Sequence, residues 1–202
     1  SSITKHINEG KILSLISDAG TPLLSDPGRL LLNHCLSNGI NVTPIPGVSS
    51  ITTAVSIAGF SDQFLFYGFL PKALNELEKV ITVLSQNKYS QVFYIPSNKV
   101  NFYLNCFKKF YSGRKILIAK EITKVHEAFL RDDIDKMKLF KSSLKGELTV
   151  VISEMSNTDK KIDEKKIVNK IKKYLKNYSL KDTVNLVLEI EKINKKKVYD
   201  LC

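Results

Sequence analysis

The stretch LISDAGTPLLSDPG, Leu15 to Gly28, constrains this chain more than any other part of it. Apolar Ile12, Leu13, Leu15 and Ile16 read as a buried strand. They run into a loop that holds Asp18, Asp26, Pro22, Pro27, Gly20 and Gly28. Glycine in such a loop lets a ligand come close to the backbone. The Asp carboxylates and the main-chain N–H and C=O groups can then read its polar atoms. Beyond the loop, Leu30, Leu31, Leu32, Cys35 and Leu36 mark a helix. Strand, loop and helix in that order form the unit from which α/β folds build ligand crevices at the carboxyl ends of strands. Taken alone, the same pattern also describes a plain turn before a capped helix.

A second element of this kind follows. Residues 40–45 alternate like a short strand and end in Pro46-Gly47-Val48-Ser49-Ser50. Residues 51–59 then read as a helix of small residues, with Ala54, Ser56 and Ala58. The turn delivers two hydroxyls to a helix N-terminus, where unpaired N–H groups need acceptors. Two such loops close in sequence predict a shared binding edge.

The next hundred residues read as a second α/β block. Strands are predicted at 64–69, 91–95, 116–119 and 148–152. Helices are predicted around Leu74–Leu84 and Val100–Phe110; Phe102, Tyr103, Cys106, Phe107 and Phe110 make the apolar side of the second. A short helix is also predicted at residues 3–9. The last segment differs: residues 159–202 carry 13 Lys against 7 Asp and Glu. Ile162, Ile167, Val168, Ile171, Tyr174 and Leu175 give one amphipathic helix there. Ser179 and Asp182 form a capping box for a second, and a short third is expected around Val198 and Leu201.

The net charge of +11 favours an anionic partner such as RNA, although abundant Lys with scarce Arg also fits an AT-rich coding sequence. Cys35, Cys106 and Cys202 form no C-x-x-C pair, which argues against a zinc site or disulfide framework and for a reducing cytoplasm. No run approaches the roughly 20 apolar residues of a membrane span.

Taken together, SDAGTPLLSDPG, IPGVSS, ITTAVSIAGF, FYGFLP, AKEITKVHEAF and KGELTVVIS resemble, in order, the tetrapyrrole-methylase superfamily. The resemblance is strongest to its bacterial small-subunit ribosomal RNA cytidine-2′-O-methyltransferases. It implies an α/β two-domain fold with a small C-terminal helical extension. The divisions expected are 1–62, the remainder of an N-terminal methylase domain; 63–156, the second methylase domain; and 157–202, a basic helical extension. Members of the family open with a strand ending in a Thr-Pro-Ile-Gly-Asn-like loop and with an acidic Glu-Asp-Thr-Arg-like segment. Residues 1–202 contain neither, so the first domain is expected to be incomplete and the fragment weakly active or inactive by itself.

The resemblance implies S-adenosylmethionine as cofactor and 2′-O-ribose methylation of a cytidine in small-subunit ribosomal RNA, free or in the assembled particle. The donor is expected on Asp18, Ala19, Gly20, Thr21, Pro22, Pro46, Gly47, Ser49 and Ser50. Candidates for the base that takes the hydroxyl proton are Glu121, His126 and Glu127. RNA phosphates are expected on Lys99, Lys120, Lys124, Lys172, Lys173, Lys195 and Lys196. No metal is required, a cytoplasmic protein is expected, and a homodimer is compatible with this reading. Where the family carries an acid, a small residue, Pro, His and Arg, this chain has Ile95-Pro96-Ser97-Asn98-Lys99, which puts the grip on RNA in question more than donor binding. The alternatives are a precorrin-type tetrapyrrole C-methyltransferase and a non-catalytic RNA-binding remnant.

Overall fold

The computed structural model describes residues 2–155, 164–191 and 198–199, without the side chains of residues 2, 164–167 and 189–191. The chain divides into two compact units, Ser1–Ser156 and Asn157–Cys202. Among the described residues no helix is long and apolar enough to cross a membrane.

The first unit opens with helices α1 (Ser2–Asn8), α2 (Arg29–Ser37) and α3 (Ser50–Ala58). A five-stranded sheet follows: β1 (Phe64–Phe69), β2 (Ser90–Pro96), β3 (Lys115–Lys120), β4 (Ala128–Asp133) and β5 (Glu147–Ile152), in spatial order β1-β2-β5-β3-β4. Helix α4 (Leu74–Leu84) makes the crossover between the parallel pair β1 and β2, and α5 (Val100–Phe110) joins β2 to β3. β5 lies antiparallel between β2 and β3, and β4 pairs only with β3.

The three inner strands are buried along nearly their whole length, because both faces of the sheet are covered. Their side chains divide with period two. Phe93, Ile95, Ile116, Ile118, Leu148, Val150 and Ile152 pack with Leu77 and Ile81 of α4 and Tyr103, Leu104 and Phe107 of α5. Val92, Leu117, Ala119 and Val151 face the other way, onto Ile51, Ala54 and Ala58 of α3. Each buried Val, Leu, Ile or Phe side chain among them contributes about 1.5–3 kcal/mol by leaving water. The small residues of α3 thus serve close packing against the sheet.

Two expected strands do not form. Residues 12–16 and 40–45 join no sheet, and Ile12 and Ile16 are 97% and 85% exposed rather than buried. An extended segment becomes a strand only when a neighbour takes up its N–H and C=O groups. The five strands of the sheet pair with one another, and no described strand runs beside either segment. Conversely β4 forms at residues 128–133, where no strand is predicted. Its sequence, AFLRDD, lacks an apolar face because it is an edge strand.

In the second unit, α6 (Glu164–Tyr174) and α7 (Leu180–Glu191) bury Ile171 against Val184 and Val187, with Val198 completing the cluster. The Ser179 half of the capping box forms, with the Asp182 N–H donating to Ser179 Oγ at 3.2 Å, while Ser179 Oγ donates to Asp182 Oδ2 at 2.6 Å. Val198 and Tyr199 are helical, whereas Ile162, Lys195, Lys196 and Leu201 lie outside the described residues.

Candidate functional site

Sheet topology gathers the chemistry at one end. The carboxyl ends of β1, β2 and β3 lie beside the amino ends of β4 and β5, as the pairs Phe69↔Tyr94, Pro96↔Glu147, Lys120↔Leu148 and Lys120↔Ala128 show. The segments leaving this end are 70–73, 97–99, 121–127 and 140–146.

The two glycine-containing loops reach the same end. Ser50, at the start of α3, shares a hydrogen bond of 3.1 Å with the Tyr94 hydroxyl near the end of β2. Tyr94 is itself held between the rings of Phe66 and Phe69, each centroid 5.2 Å away. The far end of α3 is fixed at β4, where Arg131 Nη2 donates to the Ile57 carbonyl at 2.6 Å. Helix α3 therefore runs along the sheet with its N-terminus at the functional end. Thr21 Oγ1 donates to the Val48 carbonyl at 3.4 Å, which places the Asp18–Pro22 loop beside the Pro46–Ser50 turn.

Glycines shape both loops. Gly28 has φ +122°, a backbone conformation that favours glycine, and its open Cα side is packed by the side-chain ends of Leu23 and Leu15. Gly68 sits at a bulge in β1 and packs beside Ser25 of the loop: a Cβ on it would stand 3.4 Å from Ser25 Oγ. Gly20 and Gly47 face open space, with nothing within 4 Å of where a Cβ would be. Asp18, Ala19, Gly20, Thr21, Pro46 and Gly47 are exposed around that space, and Ser49 is half-buried beside it. They supply one carboxylate, two hydroxyls and main-chain donors and acceptors, beside the N–H groups of the first turn of α3. Such a set fits a ligand carrying an ammonium, a carboxylate and a diol.

The segment after β3 is tightly braced. Glu121 and Thr123 adopt left-handed φ values of 49° and 67°. The Glu121 carboxylate accepts the Glu147 N–H at 2.9 Å and the Lys124 ammonium at 3.2 Å. It lies directly against Gly146, whose φ is +92° and where a side chain would collide with it. Lys124 also reaches Glu147 Oε2 at 3.2 Å. The Glu147 N–H, followed by the Lys124 ammonium, holds the Glu121 carboxyl below the usual carboxylate range. The Lys124 ammonium is held above its ordinary range by the same carboxylates, Glu121 first. Glu127 Oε2 accepts the Thr123 N–H at 2.7 Å. Both carboxylates among the three expected bases thus brace the loop. Lys124, expected on phosphate, has its charge balanced within it.

His126 stands exposed near the crest of this loop, next to Val125, which is 96% exposed. No hydrogen bond to its ring is found among the described residues. Lys99 is exposed just beyond β2, and Lys120 is half-buried at the end of β3. Lys172 and Lys173 are exposed on α6 in the second unit. Sequence reading missed Tyr94, Gly146 and Glu147. Gly146 was the discoverable one, since a glycine beside a strand start marks a left-handed position or a close approach.

The Glu121 contacts carry a prediction. A carboxyl held low when folded contributes stability above its unfolded value, about 4.3 for Glu, and that stability is lost as pH falls through the lower folded value. The thermal midpoint of the wild type should therefore decline from about pH 4.3 downward, and Glu121→Gln should lower it at pH 7 and flatten this acid limb. Parallel acid limbs in the two proteins, measured by circular dichroism, would contradict the bracing role.

Residues 2–138 match the family description "Tetrapyrrole (Corrin/Porphyrin) Methylases". The chain is 33% identical over 205 residues to "Ribosomal RNA small subunit methyltransferase I" of Rickettsia prowazekii (strain Madrid E), covering 98% of this chain and 72% of that protein. It is 35% identical over 150 residues to the protein of the same name from Thermotoga maritima, covering 73% of this chain and 67% of the relative. Among solved structures it is similar to the methyltransferase CobJ, with TM-score 0.57 and 18% identity over 74% of this chain and 67% of that one. A second neighbour is the cobalt precorrin-4 methyltransferase CbiF, with TM-score 0.52 and 14% identity over 75% of this chain and 68% of that one. At these identities the two structures speak for the fold alone. The sequence relationships go further, and with the fold they place this chain in the tetrapyrrole methylase family, in the branch whose curated members are named ribosomal RNA small subunit methyltransferase I.

Proposed function

We infer that the protein is an S-adenosylmethionine-dependent methyltransferase that methylates the 2′-hydroxyl of a cytidine ribose in small-subunit ribosomal RNA. The observation that carries this reading is the meeting of the Asp18–Pro22 loop, the Pro46–Ser50 turn and the braced 121–127 loop at one sheet end, in a chain whose curated relatives are ribosomal RNA methyltransferases.

S-adenosylmethionine supplies an electrophilic methyl group on a sulfonium, which leaves as a neutral thioether. The open space at Gly20 and Gly47 admits its methionine arm. The first turn of α3 offers N–H groups to its carboxylate. The exposed carboxylate of Asp18 and the hydroxyls of Thr21 and Ser49 suit its ammonium and ribose diol. Ser50 contributes by position, since its hydroxyl is already paired with Tyr94.

On the acceptor side, His126 would accept the proton of the ribose hydroxyl whose oxygen is to be methylated. Imidazole is the commonest general base, and here its ring stands clear of the loop. Glu121, Glu127 and Lys124 hold the loop in shape. Lys99 and Lys120 attract the RNA backbone from the same end, and Lys172, Lys173, Lys195 and Lys196 do so from the basic tail. Phosphate contacts by lysine position the RNA without reading its bases.

Tritiated donor, offered with small subunits from a strain lacking the modification, with large subunits and with a uroporphyrinogen, tests this reading. Label in small-subunit RNA supports it. Label in the large subunit or the tetrapyrrole overturns it in favour of a different acceptor. Charge reversal at Lys172 and Lys173 should weaken small-subunit binding most at low salt and leave donor affinity unchanged. Unchanged RNA affinity across the salt series would remove the tail from the interface.

A further inference from the structure

We propose that the cleft between the start of α5 and residues 140–143 is a phosphodiester-binding subsite for single-stranded RNA. This rests on the proposed RNA substrate and adds to it a specific seat for the backbone of the acceptor strand.

The cleft has a volume of about 310 Å³ and is lined by Asn98, Lys99, Asn101, Phe102, Lys141 and Ser143, among others. That volume lies at the small end of ligand sites, suited to about one nucleotide unit. Its lining holds two ammonium groups, two amides and two serine hydroxyls but no Asp or Glu. Such a set of donors, with cations on both walls and no carboxylate, selects an anion with several acceptor oxygens. A phosphodiester has that chemistry, and Phe102 and Phe140 give the attached ribose an apolar surface to rest on.

The two walls are fixed to each other. Asn101 Nδ2 donates to the Phe140 carbonyl at 2.8 Å, and the Phe140 N–H donates to Asn101 Oδ1 at 2.9 Å. This reciprocal pair fixes the Asn101 side chain through one of its two Nδ2 hydrogens and its Oδ1, and sets Lys141, Ser142 and Ser143 on the same cleft as Lys99. Position completes the case. Residues 97–99 leave the carboxyl end of β2, and residues 140–146 enter the amino end of β5, so the cleft opens at the sheet end that also carries residues 120–127. A strand anchored here by one phosphate leads its neighbouring nucleotides toward His126.

The test uses a fluorescent 12-nucleotide single-stranded oligoribonucleotide containing cytidine, with anisotropy read across a salt series. The variants are Lys99→Ala/Lys141→Ala and Asn101→Ala, and donor affinity is measured on each by calorimetry. The double lysine variant should bind the oligonucleotide about tenfold more weakly, with a salt slope flatter by about one, and should keep its donor affinity. Asn101→Ala should weaken binding while leaving the salt slope unchanged, because both lysines remain. Replacing single phosphates of the oligonucleotide by neutral methylphosphonates should reveal one linkage whose neutralisation weakens the wild type but not the double variant. Wild-type RNA binding with the same affinity and slope in the double variant would overturn the subsite and leave the RNA reading standing. Absence of RNA binding by the wild type would overturn the RNA reading itself.

Discussion

Replacing His126 by asparagine is expected to slow methyl transfer by about 10²–10⁴-fold, the range that a positioned proton acceptor supplies. Asparagine keeps a polar side chain of similar reach but cannot take the proton. Because the ring stands clear of the loop that Glu121, Lys124 and Glu127 brace, the variant should fold as the wild type does. Single-turnover transfer with saturating donor and RNA is the measurement, and donor affinity should not move. Glu127→Gln gives the contrast. Its amide oxygen can still accept the Thr123 N–H, so the loop and most of the rate should survive. A His126→Asn rate within threefold of wild type, beside a large loss in Glu127→Gln, would move the proton acceptor to Glu127.

The second large effect concerns the donor. Gly47→Leu should weaken S-adenosylmethionine binding by about a hundredfold or more, equivalent to about 2.7 kcal/mol. Gly47 lies outside the left-handed region and has nothing within 4 Å of its Cβ direction, so a side chain there meets no part of the protein. Folding stability should stay within about 0.5 kcal/mol of wild type, as for surface substitutions away from special features. The leucine instead fills the space assigned to the methionine arm. Calorimetric titration with S-adenosylmethionine, alongside a thermal melt, separates the two effects. Wild-type affinity in a well-folded Gly47→Leu protein would remove the Pro46–Ser50 turn from the donor site. Gly28→Ala would be a poor substitute, since φ +122° strains any side chain there and would mix a folding effect with a binding one.

Legibility in the sequence tracked how local the physical cause was. Helices α4 and α5 and the inner strands were readable from residues 64–152 because period and burial agree there: β2, β3 and β5 are buried on both faces and so read as apolar runs. Residues 12–16 carried the same apolar signal and do not form a strand, because pairing depends on a neighbour that their own composition does not record. β4 was hidden for the converse reason, since pairing with β3 makes a strand of a segment whose side chains show no apolar alternation. The small residues of α3 were legible as a helix but not as the layer that covers one face of the sheet.

At the site, the loops were found from their glycines and prolines, and their proximity is visible in the contact of Thr21 with Val48. The part played by Glu121 was not legible. A glutamate five residues before a histidine reads as acid–base chemistry, yet its carboxylate is taken by the Glu147 N–H twenty-six residues later in the chain. Lys99 was picked out as a charge. The cleft it shares with Lys141 depends on the bonds between Asn101 and Phe140, which sequence spacing does not reveal.

Alkali distinguishes a methyl group on a ribose oxygen from one on a base by chemistry alone. Alkaline cleavage of RNA needs a free 2′-hydroxyl to attack the adjacent phosphate. Small-subunit RNA methylated by this protein with tritiated donor should therefore release its label in an alkali-stable dinucleotide with cytidine at its 5′ position. Label recovered in mononucleotides would place the methyl on a base and contradict the account.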